Sequence, residues 1–353
     1  MKILLFNNIY PNEANPTVGT YVKSIVNQLS DMGYEVDICV RTPSKHKTIS
    51  YLCFYWKLLT ISLKKYDILY VNHFTFLLPL IVRLVLSKNK KVIYHWHGEE
   101  LINSHVLFRI IRILIKKSFH TDVIHISPSF YYKKVINNVL NVSKEKIFVS
   151  QSGGVDMNCF HCHQHPSSIF HIGFPAALNE HKGVLYLLEI LKNSKKLEEM
   201  LNEKIHFHII NYGSESRKVK EFIKVYYPEK VTIYPTFKKE ELSHFYSQTN
   251  MTLFLSKRES LGLTVLESMS CGVPVLARNN SSMPELVVTG ISGELVSNEP
   301  SVEEILEKIK IIHDNLLSYN SRDFIVDKQL DKISVQNSLK STIENFIKNK
   351  NHY

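Results

Sequence analysis

Apolar positions along this chain cluster with two spacings that take turns. Short, nearly continuous apolar runs read as strands buried on both faces: Lys2–Phe6, Glu35–Val40, Ile68–Asn72, Val92–Tyr94, Val123–Ile126 and Ile147–Ser150. Ile169–Gly173, Ile205–Asn211, Val231–Tyr234, Met251–Leu255, Val273–Ala277 and Glu294–Ser297 continue the series. Between them the spacing becomes helical. Val22, Ile25, Val26 and Leu29 share one helical face that Gly33 ends. Helices are also expected over Tyr51–Lys65, Leu77–Leu86, from Lys182-Gly183 through Lys195, over Lys239–Ser247, Val302–Leu317 and in the tail from Phe324. Strand and helix alternating in this way predict an α/β protein, and 353 residues suggest two domains.

The stretch Ser256–Val275 carries the most chemical information. It leaves a strand, passes a charged loop and restarts near Gly262 as a helix that ends at Gly272. Polar groups are thereby placed at the carboxyl end of a strand, facing a helix N-terminus whose amides and dipole favour anions. Glu259 in the loop and Glu267 in the helix are spaced to border one pocket, where a carboxylate accepts from sugar hydroxyls. The plainer reading of that pair alone is two solvated glutamates.

Further candidates stand at other strand ends. Gly19 opens a helix where backbone can meet a ligand, although the loop Asn7–Thr20 is not a GxGxxG dinucleotide fingerprint. His97 follows a strand in His95-Trp96-His97-Gly98-Glu99-Glu100, with His95 as its rival. Lys182, beside Gly183, is placed to lie over a diphosphate. Cys159-Phe160-His161-Cys162-His163-Gln164-His165 holds half a zinc site with no second half, so no metal site is expected.

Charge sharpens this picture. Residues 1–165 hold 20 Lys and Arg against 10 Asp and Glu, which accounts for the whole net charge of +10. Those charges are interleaved with aliphatic residues, as in Leu107–Lys117, and Trp56 lies among Lys57, Lys64 and Lys65. The pattern suits an anionic membrane surface better than nucleic acid, with a half-buried helix as the plain alternative. The first residues lack the features of a signal peptide and no apolar run is long enough to span a bilayer, so a cytoplasmic protein is expected. Five cysteines, an odd number, argue against structural disulfides.

The motifs Glu259-x7-Glu267, Ser268-Met269-x-x-Gly272-x-Pro274-Val275, Gly154-Val155-Asp156, Lys182-Gly183 and Pro284-Glu285 stand in an order that resembles retaining family 4 glycosyltransferases of the GT-B fold, of the bacterial surface-polysaccharide type. The resemblance implies two Rossmann-like, doubly wound parallel-sheet domains facing across a cleft. It divides the chain into residues 1–165, which take the acceptor, 166–322, which take the nucleotide sugar, and a tail, 323–353, that crosses back. It implies transfer of a hexosyl group from a nucleotide diphosphate sugar to a hydroxyl, with retention. His97 and Glu259 take catalytic places beside the transferred sugar. Lys182 and the amides of Leu261, Gly262 and Leu263 hold the diphosphate, Glu267 holds the ribose, and Gly19 lies against sugar or acceptor. No cofactor and no divalent metal are implied. One departure stands out: Phe174 replaces the family arginine, leaving Arg258 or Arg278 as substitutes. Together with the basic stretches, the resemblance predicts a lipid-linked saccharide acceptor and a peripheral place at the inner face of the cell membrane. The alternatives are an epimerase or hydrolase on the same fold, or a non-catalytic nucleotide-sugar binder.

Overall fold

The computed structural model describes residues 1–12, 19–44, 46–86, 90–118, 122–161 and 168–348. The chain divides into two units, Met1–Gly153 with Gln336–Tyr353, and Gly154–Val335. Each contains one six-stranded sheet. The first is built from β1 (Lys2–Asn7), β2 (Glu35–Val40), β3 (Ile68–Asn72), β4 (Lys91–His95), β5 (Asp122–Ser127) and β6 (Ile147–Val149). The second uses β7 (Phe170–Phe174), β8 (Ile205–Ile210), β9 (Val231–Tyr234), β10 (Met251–Phe254), β11 (Val275–Arg278) and β12 (Gly293–Val296). Neighbouring strands pair in parallel throughout. A parallel sheet is covered on both faces, which is why its strands read as unbroken apolar runs.

Alternate residues of one strand feed opposite cores. Ile3 and Leu5 of β1 pack with Val22, Ile25, Leu29, Leu339 and Ile343, while Leu4 and Phe6 face Phe54, Leu80, Ile111 and Ile136 on the other side. In the second unit Leu253 joins Leu187, Ile190 and Ile309, whereas Phe254 joins Phe245, Leu266 and Met269. The segment Gly154–Phe160 belongs to this second unit, with Val155 and Phe160 inside its core. The last helix, Lys332–Lys348, sends Leu339, Ile343 and Phe346 into the core of the first. Lys91 Nζ donates to its terminal carbonyls, Phe346 O at 2.6 Å and Ile347 O at 2.9 Å, a cation placed where the helix dipole favours one.

Strand order fixes where a ligand can enter. The first sheet runs β2-β1-β3-β4-β5-β6 and the second β12-β11-β10-β7-β8-β9. In each, the order reverses once, between β1 and β3 and between β7 and β10. Connections there leave toward opposite faces, so the loops diverge and open a crevice at the carboxyl ends.

Two expectations are corrected. Cys271 is disulfide-bonded, while Cys39 and Cys53 are free; an odd count still leaves room for a pair. The helix expected to run through Lys195 breaks at Asn193 into Val184–Lys192 and Ser194–Leu201, because Asn193 turns its amide back onto Glu189 O.

Ile343→Ala should lower the midpoint of chemical denaturation by the equivalent of about 2–4 kcal/mol, the usual result for a fully buried isoleucine. Ile333→Ala, on an exposed face of the same helix, should leave it unchanged.

Candidate functional site

The crevice of the second unit is assembled by loops that follow β7, β8 and β10. After β7 the chain makes a short turn, Glu180–Lys182, in which the Asn179 side chain accepts from Lys182 N at 2.9 Å. Gly183 ends the turn with φ 86°, and a Cβ there would lie 2.4 Å from Leu255 O. Only glycine lets this turn seat against the end of β10. Lys257 N donates to His181 O at 2.8 Å and stitches the two loops together. The result brings Lys182 Nζ within 2.5 Å of Glu259 Oε1.

Gly262, at φ 103°, starts the helix Leu263–Ser270. Ser282 Oγ lies 3.1 Å from Glu259 O and 2.9 Å from Leu261 O, holding the loop against the next connection. The first amides of that helix, Leu263 among them, are those an α-helix leaves unpaired, and they carry the positive end of its dipole. Leu261 is buried and Leu263 is half-exposed. Glu267 is buried one turn on, with Oε2 accepting from Tyr246 OH at 3.3 Å. Burial pushes its carboxyl up to about 7, against smaller opposing effects of Lys239 and Tyr246. Tyr212, which follows β8, has its phenol pushed up by burial and then by the charges of Glu267 and Glu259. It therefore sits within electrostatic reach of both carboxylates.

Tyr212 and Tyr246 were not singled out from the sequence. Tyr212 lies in a loop assigned to the nucleoside as a whole, and Tyr246 follows Phe245 in what reads as an ordinary core helix. The substitutes for the arginine missing at Phe174 fare differently. Phe174 is a core residue, and Arg278 is buried with one amino group on Asn298 O and Glu299 Oε1 and its guanidinium 5.4 Å from the Tyr186 ring. Arg258 is exposed.

The first unit gathers a separate polar group at the ends of β1, β3 and β4. His97 Nε2 is 2.5 Å from Asn72 Oδ1. A carbonyl oxygen only accepts, so the proton sits on Nε2. Burial, then the proximity of His95 and His73, holds the His97 imidazole well below its ordinary range and therefore neutral. His95 stacks on it at 5.0 Å and pairs with Tyr70 OH at 2.8 Å; burial lowers its ring to about 4. Of the two histidines, His95 is the one tied down inside the sheet. Gly19, at φ 78°, starts the helix Thr20–Asp31, and a Cβ there would lie 3.2 Å from Tyr10 Cα. Glu100 is buried, accepts from His97 N at 3.3 Å, and its carboxyl is raised by burial. Of the Cys and His run after Phe160, Cys162 to His165 lie outside the described residues. Among the described residues no three His, Cys, Asp or Glu side chains are placed to hold a metal.

The segment that builds the second crevice has recognisable relatives. The family model Glycosyl transferases group 1 matches residues 163–323. Residues 163–323 are thus similar to the group 1 glycosyltransferases. Over 76% of its length and 76% of the relative's, it is 28% identical to an uncharacterized 41.2 kDa protein in the cps region of Klebsiella pneumoniae. Further curated relatives align over less than half of their own length. In fold the chain is similar to sucrose-phosphate synthase from Thermosynechococcus elongatus, with a TM-score of 0.75 and 15% identity over 98% of both chains. It is also similar to Anabaena HepE in complex with UDP and glucose, with a TM-score of 0.72 and 17% identity over 98% of this chain and 99% of that one. These likenesses show the two-domain GT-B fold. Lys182, Glu259, Gly262 and Glu267 all fall inside the matched segment, while Gly19 and His97 precede it.

A carboxyl raised by burial binds its proton more tightly in the folded chain, so its share of stability falls as pH rises from the unfolded value toward about 7. Glu267→Gln should therefore stabilise the protein at pH 8 by something on the order of 1–3 kcal/mol and do little at pH 4. Thermal denaturation at the two pH values checks this.

Proposed function

We propose that the protein is a retaining glycosyltransferase that moves a hexosyl group from a nucleotide diphosphate sugar to a hydroxyl of a lipid-linked saccharide. The observation that carries this reading is the meeting of Lys182, Glu259 and the Gly262 helix start at one switch point, inside the segment that matches the family. Lys182 and the amides of Leu261, Gly262 and Leu263 receive the charge that builds on the departing diphosphate. Glu267 accepts from the ribose diol, with Tyr246 beside it. Glu259 accepts from hydroxyls of the transferred sugar, and Nδ1 of neutral His97 accepts from a sugar hydroxyl. The bond from anomeric carbon to diphosphate breaks while the acceptor oxygen bonds the same face, and the hydroxyl proton leaves with the phosphate. Lysine and amides take the place of a divalent ion, so the reaction runs without one.

Membrane attachment is part of the same proposal. The helix Lys47–Thr60 buries Ser50, Phe54 and Leu58 and turns Ile49, Leu52, Trp56 and Leu59 outward, with Trp56 70% exposed. Val82 and Leu86 of the helix Leu78–Leu86, and Val106, Ile110 and Ile113 of Val106–Lys117, are also exposed. These three helices pack in series on the first unit, with Arg109, Lys116 and Lys117 exposed among them. Arg112 is not part of that surface: its guanidinium donates to Glu100 O and Asn103 O, both at 2.9 Å. No helix among the described residues is long and apolar enough to cross a membrane.

Glu267→Ala and Lys182→Ala should each lower kcat/KM by about 10²-fold or more, as when one preorganised charge contact is removed, and EDTA should leave the rate unchanged. Full activity of Glu267→Ala, or steady donor turnover without acceptor, would contradict the reading. Arg109, Lys116 and Lys117 changed together to Gln should reduce sedimentation with anionic vesicles, and unchanged sedimentation would remove the membrane argument.

A further inference from the structure

At the amino ends of β1, β3 and β4, the end of the first sheet opposite its crevice, lies a cavity of about 400 Å³. Lys64, Asp67, Lys90 and Lys91 line it, together with Ile347 of the last helix. The approaches to two strands set the cations there, Lys64 before β3 and Lys90 with Lys91 at the start of β4. Lys91 is already committed. Its ammonium donates to Phe346 O and Ile347 O and stands 3.7 Å from Asp122 Oδ2, so it lends the cavity charge rather than a bond. Lys90 Nζ donates to Tyr66 O at 3.3 Å, one of the three bonds an ammonium can give. Lys64 lines the same cavity and is exposed. Asp67 Oδ2 accepts from Lys2 N at 2.7 Å, and a carboxylate has further lone pairs to offer.

These groups select a ligand by charge and by bond type. Ammonium groups are compact point charges that suit phosphate oxygens. Three lysines around one carboxylate leave the cavity positive, yet Asp67 repels a ligand with several anionic groups and calls for a donor. A phosphodiester that carries hydroxyls meets both demands. The surroundings point to its source. Lys64 follows the end of the helix Lys47–Thr60 and Lys90 that of Leu78–Leu86, helices that expose Trp56 and Leu59 and, on the second, Leu86. Arg83 ties the two together, Nη1 donating to Leu58 O at 2.6 Å and Nη2 to Ile61 O at 3.0 Å. Apolar side chains beside a cationic cavity are what a phospholipid presents a match for, chains on one side and a charged head on the other. We propose that this cavity takes the hydroxyl-bearing phosphodiester head group of an anionic phospholipid, with Lys64 and Lys90 on the phosphate and Asp67 accepting from a head-group hydroxyl. The inference rests on the membrane attachment proposed above and gives it a lipid preference.

Sedimentation of the full chain with phosphatidylcholine vesicles tests the site, one set carrying phosphatidylglycerol and the other an equal share of phosphatidylmethanol. The two lipids have the same phosphodiester charge, and only the first has head-group hydroxyls. A diffuse basic surface binds both alike, whereas the cavity should favour phosphatidylglycerol by about tenfold, the worth of a hydrogen bond to a charged group. Lys64→Gln and Lys90→Gln should each weaken binding to phosphatidylglycerol vesicles by about fivefold. Asp67→Ala should abolish the preference without weakening binding to phosphatidylmethanol vesicles, since it removes a negative charge; a merely structural Asp67 would not give that pair of results. Thermal shift with inorganic phosphate and with glycerol 3-phosphate, without vesicles, tests for a free phosphate instead. Neither should stabilise the chain appreciably, and stabilisation that Lys64→Gln abolishes, with no preference between vesicles, would give the cavity to a free phosphate and overturn the lipid. Equal binding of the two lipids by the unsubstituted protein, or a preference that survives all three substitutions, overturns the site while leaving the membrane reading in place. Absence of sedimentation with either lipid would overturn the membrane reading as well.

Discussion

The reversal of strand order in a parallel sheet is the constraint from which the chemistry of this protein follows. Parallel strands need crossovers, and where two neighbouring strands send their crossovers to opposite faces no side chain closes the gap between the loops. Both sheets have one such gap. At β7 and β10 it receives Lys182 and Glu259, and at β1 and β3 it receives Asn7 and Asn72. The glycines enforce these placements locally, most clearly Gly183, where any Cβ would collide with the end of β10.

The two gaps differ in electrostatic character. The second unit puts a lysine, a helix start and two carboxylates together, one of them buried enough to titrate near neutrality. The first holds neutral imidazoles, amides and a buried carboxyl raised by its surroundings. The environment in the second unit is the one suited to a charged leaving group. Exposed cations of the first half, Lys57, Arg109, Lys116 and Lys117, stand on the helices that also expose Trp56 and Ile113.

Much of the fold was legible because strands covered on both faces keep a continuous apolar signature whatever their neighbours. Glu35–Val40, Ile68–Asn72 and Val231–Tyr234 end where the sequence places them. Strand order was not legible from periodicity, since the spacing within a strand carries no record of its partner. Within the site, Lys182, Glu259 and Glu267 stood out because charge at a strand end or helix start is locally unusual. Tyr212 and Tyr246 did not, because a phenol acquires its role from a carboxylate that is 21 residues away in the chain, in the case of Tyr246. Arg112 looked like one more surface cation until its bonds to Glu100 O and Asn103 O turned it into a cap for the short helix Glu99–Ile102.

Hydrogen exchange on the intact chain, read with and without UDP, reaches the claim that the crevice of the second unit holds the nucleotide. UDP should protect amides of 178–183, 211–214 and 256–267 in the second unit and leave the first unit unchanged. Protection by UDP confined to the first unit, or no protection in the second, would contradict the account.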